Sequence, residues 1–182
     1  MTSLMSIRSD STMQEVLDAF PGARRALFKH YHLGGCSSCA FSPEETLGQL
    51  CARSGGLNVD EVIATIQGSH EQDQKLLISA RELAEALRLA NPPRVLDIRS
   101  REEWEAARIA GSVLFTQELM NEILGRWPKT ATFVMVDHLG ATSLDAAAYF
   151  LGHSYEGVRA LRGGVDAWSQ EVDAGVPRYR LE

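Results

Sequence analysis

The stretch Thr132-Phe133-Val134-Met135-Val136-Asp137-His138-Leu139-Gly140-Ala141-Thr142-Ser143 reads as a buried strand, a tight loop and the start of a helix. Thr132 to Val136 is the most strand-like run in the chain. Gly140 allows the loop to turn, and Ser143 to Leu151 carries the helix that follows. A strand feeding a helix through a short loop is the repeating unit of a parallel sheet.

The same alternation extends outward. Arg94 to Ile98 is a short apolar run between prolines and a cap, hence a second strand, and Val158 to Leu161 is a third. Helices fall between them. Ser79 with Glu82 caps one that runs through Leu89, Ser100 with Glu103 caps the next, and Gly163-Gly164 leads into a last one carrying Val165 and Trp168. The pattern predicts an α/β fold, with a parallel sheet covered by helices on both faces. Ligands of such sheets sit where strand C-terminal ends meet helix N-termini, which singles out the loop after Val136.

Upstream the pattern is helical. Thr12 with Glu15 forms a capping box, Pro21 opens a helix running to about Tyr31, Ser42-Pro43-Glu44-Glu45 starts a third, and Asn58 with Glu61 a fourth. From Gln67 to Lys75 no residue is apolar, which marks a boundary. The expected organisation is a small all-α domain at 1–70, a linker at 71–76 and an α/β domain at 77–182. Limited proteolysis is expected to cut the polar run.

Composition narrows the function classes. The 182 residues are 45% hydrophobic and 23% charged, with a net charge of −6. That is an ordinary globular composition without the basic field that nucleic acid or anionic membranes select. No apolar run is long enough to span a bilayer, and Met1 to Ser11 lacks a signal-peptide pattern. The expected location is the cytoplasm, with no nucleic acid and no membrane partner. No cofactor is read from the sequence. All three cysteines, Cys36, Cys39 and Cys51, lie in the first 51 residues. In a cytosolic chain this points to redox, catalytic or metal chemistry rather than to a stapled fold.

From about Ile78 to Leu181 the chain resembles the rhodanese family. Val95-Leu96-Asp97-Ile98-Arg99, Glu102-Glu103-Trp104 with Arg108-Ile109-Ala110-Gly111-Ser112, and Leu161-Arg162-Gly163-Gly164-Val165-Asp166-Ala167-Trp168 carry the likeness. Arg108 and Ala110 stand where His and Pro are usual in that family. Its sulfurtransferases carry Cys-x-x-Gly-x-Arg-Ser after the strand. Here the loop is Asp137, His138, Leu139, Gly140, Ala141, Thr142 and Ser143. The resemblance therefore puts Asp137 at the cysteine position and Thr142 at the arginine position. A carboxylate cannot store sulfane sulfur as a persulfide, so the expectation is a domain inactive in sulfur transfer. Two readings of Asp137 stay open: a strand-end cap, or a carboxylate filling the loop's own anion cradle.

Gly35-Cys36-Ser37-Ser38-Cys39 supplies the remaining chemistry. A two-residue spacing lets two sulfurs close a disulfide or chelate one metal. With Glu15-Val16-Leu17, Pro21-Gly22-Ala23 and Leu33 to Leu47, it resembles the hybrid-cluster-protein-associated redox disulfide domain over about Ile7 to Gln67. Cys36 and Cys39 are thus the candidate redox dithiol. Lys29, with His30 and His32 when protonated, would lower a nearby thiol pKa. The alternatives are a metal or iron–sulfur site drawn from His32, Cys36, Cys39 and Cys51, or cysteines without chemistry. The sequence identifies no partner beyond a thiol, disulfide or persulfide protein, and it permits a homodimer.

Overall fold

The computed structural model describes residues 7–34 and 41–179. The chain divides into two compact units, 1–75 and 76–182.

The first unit is helical: α1 (Met13–Ala19), α2 (Ala23–Tyr31), α3 (Leu47–Arg53) and α4 (Val59–Leu76). The Thr12/Glu15 capping box is formed at α1. Met13, Val16, Leu27, Leu47, Leu50, Cys51, Val62 and Ile66 close the core. The third helix starts at Leu47 rather than at Pro43, capped by Thr46 with Gln49. The Pro43 and Glu45 carbonyls are already engaged. They accept the N–H groups of Gln14 and Met13 at 2.9 and 2.8 Å, which satisfies the first turn of α1. Residues 43–46 therefore brace a neighbouring helix start instead of making their own.

The expected linker at 71–76 is helix. Residues 67–75 lie inside α4 and continue its buried stripe from Val62 and Ile66 with polar groups. His70 meets the Phe20 ring edge-on, with centroids 4.9 Å apart. Asp73 is 3% exposed and pairs with Arg25. Its carboxylate lies where a Gly22 side chain would otherwise sit, at the N-terminus of α2. There the helix dipole favours an anion. Helical spacing persists through the run, but its inward positions are polar.

The second unit is a five-stranded sheet in the order β1-β5-β4-β2-β3. Its strands are β1 (Leu77–Ile78), β2 (Arg94–Asp97), β3 (Val113–Leu114), β4 (Phe133–Val136) and β5 (Val158–Leu161). All the pairings are parallel. The helices are α5 (Ala80–Ala86), α6 (Arg101–Ala106), α7 (Gln117–Arg126), α8 (Thr142–Gly152) and α9 (Gly164–Glu171). Side chains alternate along each strand. Leu96, Phe133, Met135, Val158 and Ala160 face one core with Ile123, Leu144 and Phe150. Val95, Val134, Val136 and Leu161 face the other with Leu83, Ile109 and Trp168. The α/β expectation holds, with helices on both faces. Capping boxes form at Ser79/Glu82 and Ser100/Glu103, although α5 ends at Ala86, before Leu89.

Candidate functional site

Central strand β4 is buried at all four positions and delivers Asp137 to the C-terminal edge of the sheet. The chain then turns through Gly140, at φ +90°, into α8. An added Cβ at Gly140 would lie 2.7 Å from the Gly163 nitrogen and 2.9 Å from the Leu161 carbonyl. At Gly164, φ +59°, it would strike the Asp137 and His138 carbonyls. Glycine at both positions thus lets the loops after β4 and β5 close on each other. Val165 and Asp166, at the start of α9, donate N–H groups to the Asp137 and His138 carbonyls at 2.9 and 3.2 Å.

The Asp137 carboxylate turns into its own loop. It accepts the Gly140 N–H at 2.6 Å, the Thr142 N–H at 2.9 Å and the Ser143 hydroxyl at 2.9 Å. Asp137 is 8% exposed and Ser143 is fully buried. Thr142 is the first residue of α8, and no side chain of its N-cap, Ala141, caps the helix. Asp137 supplies that missing acceptor and sits at the positive end of the helix. The same three bonds serve both readings of Asp137: the carboxylate is a local cap at the strand end, and it occupies the loop's own ring of donors.

A second network lies beside the loop. Arg99 binds Asp97 at two points, Nε to Oδ1 at 2.9 Å and Nη2 to Oδ2 at 2.7 Å, and also donates to the Ala107 carbonyl at 2.5 Å. Its Nη1 donates to the Tyr179 hydroxyl at 2.7 Å, and that hydroxyl donates to Glu103 Oε1 at 2.7 Å. The Tyr179 ring stacks on His138, with centroids 4.3 Å apart and planes 7° apart. His138 Nδ1 is buried and makes no hydrogen bond. Burial, together with the bond to Glu103, pushes the Tyr179 phenol above its usual range and keeps the donor proton in place. Burial works against the Glu103 carboxylate, but bonds from Tyr179 and Ser100 bring it below the usual range. Arg178 binds Asp166 at 2.7 Å and holds its carboxyl low.

The loop does not present all its members alike. Asp137 and Ser143 are buried together, His138 is covered by Tyr179, and Leu139 is 62% exposed. Ala141 and Thr142 are exposed. Cys36 and Cys39 lie outside the described residues. Cys51 is 1% exposed in the helical core, and burial pushes its thiol pKa up. His32 is an exposed, left-handed C-cap of α2. Of the alternative ligand set, His32 and Cys51 are thus described, the first exposed and the second in the core, while Cys36 and Cys39 are not. No group of three or more metal-ligating side chains occurs among the described residues. No helix among them is long and apolar enough to cross a membrane. Tyr179 carried no signal in the sequence: it lies outside every helix and strand, and its hydrogen-bond partners are 76 and 80 residues away.

A parallel sheet with a short loop closing on a helix N-terminus after its central strand defines the class, and comparison with known proteins agrees. Residues 79–171 match the rhodanese-like domain, and the chain belongs to that family. It is 32% identical over 89 residues to the thiosulfate sulfurtransferase GlpE of Pseudomonas aeruginosa, covering 49% of this chain and 76% of GlpE. It is 26% identical over 126 residues to the probable adenylyltransferase/sulfurtransferase MoeZ of Mycobacterium tuberculosis, covering 68% of this chain but only 30% of MoeZ. The crystal structure of reduced Bacillus anthracis CoADR-RHD shares the fold, with a TM-score of 0.52 and 15% identity over 89% of this chain and 27% of that one.

Proposed function

We propose that this chain is a cytoplasmic accessory protein of sulfur or redox metabolism whose rhodanese-like unit binds or regulates instead of transferring sulfur. The sulfur context is supported by the kinship with GlpE and MoeZ, both named as sulfurtransferases. The observation that carries the reading is the Asp137 carboxylate, which takes three hydrogen bonds from its own loop. A sulfurtransferase loop of this shape holds a thiolate that attacks sulfane sulfur and keeps it as a persulfide. Asp137 has neither the polarizable sulfur nor a vacant cradle, and no cysteine follows Cys51 in the sequence. Thiol–disulfide or sulfur-carrier chemistry falls to Cys36 and Cys39.

The test is thiosulfate sulfurtransferase turnover in the anaerobically purified full chain, in the wild type and in the Cys36→Ser/Cys39→Ser variant. The expected variant is inactive, and intact mass shows a reversible two-electron change only while both cysteines are present. Turnover that survives their replacement would overturn the reading. Asp137→Cys is expected to place a thiol in the same ring of donors and to react with a thiol probe faster than an ordinary surface cysteine.

A further inference from the structure

The segment after α9 has no regular secondary structure, yet it is pinned along its length. Val176 is buried, and its carbonyl accepts the Ser169 hydroxyl at 2.6 Å. Arg178 donates to both Asp166 oxygens at 2.7 and 3.1 Å. Tyr179 lies flat on His138 with its hydroxyl between Arg99 and Glu103.

The hollow that receives Tyr179 is built without it. Arg99 keeps both Asp97 oxygens and the Ala107 carbonyl. Glu103 keeps the Ser100 N–H on its other oxygen, at 3.1 Å. The hollow therefore offers a fixed donor, a fixed acceptor and an aromatic floor, which together complement a phenol side chain. A carboxylate on its rim, Asp166, takes a cation one residue earlier. The floor belongs to the residue after Asp137, and Arg99 follows β2, so the hollow opens at the C-terminal edge of the sheet, where ligands of parallel sheets bind. Tyrosine and arginine are also the residues that most often anchor protein interfaces.

We propose that this hollow recognises a tyrosine preceded by a cationic residue on a partner protein, and that Arg178 and Tyr179 fill it in cis as a strap the partner displaces. The proposal rests on the reading that the second unit binds rather than transfers sulfur. The strap is suited to release. The Arg178 side chain is 56% exposed, so its ion pair contributes little. No helix or strand has to open for residues 177–179 to leave. Cis occupancy lowers a partner's apparent affinity by the fraction of time the strap is open.

The experiment titrates a peptide of residues 174–182, Ala-Gly-Val-Pro-Arg-Tyr-Arg-Leu-Glu, into the full chain as wild type, Arg178→Ala and Tyr179→Ala. Tyr179→Ala is expected to bind at least roughly tenfold tighter than wild type, with Arg178→Ala close to wild type. The peptide carrying Tyr179→Ala is expected not to bind any of the three. Equal binding to wild type and a cooperatively melting Tyr179→Ala overturns the proposal. Should Tyr179→Ala fail to fold, Tyr179→Phe decides, because it keeps the ring on His138 and loses the hydroxyl between Arg99 and Glu103, and no gain over wild type overturns the proposal. A wild-type dimer dissolved by Tyr179→Ala also counts against it, because the strap would then serve a second copy. Sulfurtransferase turnover independent of Cys36 and Cys39 would sink the functional reading while leaving the peptide result intact, so the two failures are read separately.

Discussion

Ser143 and Asp137 face each other across the turn of one loop, the hydroxyl donating to Oδ1 at 2.9 Å, and both are buried. The carboxylate holds the loop in the shape an external anion would otherwise be needed to hold. Replacing Asp137 with Ala leaves two N–H groups and a buried hydroxyl without their acceptor. Each buried group left unsatisfied costs about 1–3 kcal/mol, so a loss of roughly 2–4 kcal/mol is expected after water takes up part of the deficit. Asp137→Asn keeps one oxygen acceptor but turns an NH2 toward the donors, and it should fall between. Urea denaturation of the three proteins measures the order, and an Asp137→Ala chain as stable as wild type would remove Asp137 as the organiser of the loop.

Gly164→Ala is expected to be worse than an ordinary glycine replacement. Its φ of +59° disfavours any side chain, and the added methyl would strike the Asp137 and His138 carbonyls. Overpacking and left-handed strain together cost roughly 2–4 kcal/mol. Gly152→Ala is the control: it ends α8, and its Cβ would meet nothing within 4 Å. A melting temperature lowered by the first change and not by the second checks this.

Limited proteolysis should spare the polar run 67–75. The bonds it offers to a protease are helical, and Asp73 is anchored by Arg25. Asp73→Ala removes the carboxylate from the α2 N-terminus, so cleavage there is expected to rise severalfold. Rapid cutting of the wild type within α4 would restore the flexible linker that composition alone suggests.

The Glu45–Arg53 pair sets a pH dependence. The bidentate bond from Arg53 holds the Glu45 carboxyl below its usual range. A carboxylate lowered on folding stabilises the folded state above its unfolded pKa, and that contribution is lost as pH falls through the folded value. The stability gap between wild type and Arg53→Ala is therefore expected at pH 7 and should close as both are taken below about pH 3. A gap unchanged at acid pH would mean that Arg53 acts through packing alone.

How far the sequence could be read follows from the physics of each element. Strand β4 was legible as a continuous apolar run, and β2 and β5 as short, mostly buried runs with apolar residues around Arg94, Asp97 and Arg159; α1, α5 and α6 were legible because a capping box is local chemistry. Strands β1 and β3 are two residues long and carry no periodicity. Helix α7 went unread although Thr116 caps it, because its cap lacks the glutamate three positions on that marked the others. Pro43 misled because the backbone that could have entered a helix is occupied by α1. The position of Asp137 was readable from the strand–loop–helix pattern, but its inward turn depends on where the Gly140, Thr142 and Ser143 donors point. The Tyr179 contacts join distant parts of the chain and leave no trace in local pattern.

The pairing of β1 with β5, Leu77 against Ala160 and Ile78 against Leu161, ties the first strand of the sheet to its last. During synthesis β2, β3 and β4 emerge while β5, the partner of edge strand β1, does not yet exist. Leu77 and Ile78 must wait, with unpaired backbone groups, until about eighty more residues have left the ribosome. Loop closure over such a span comes late and slowly. Until β5 arrives, the edge of β4 that it covers stays open as well, so one late strand closes two ladders at once.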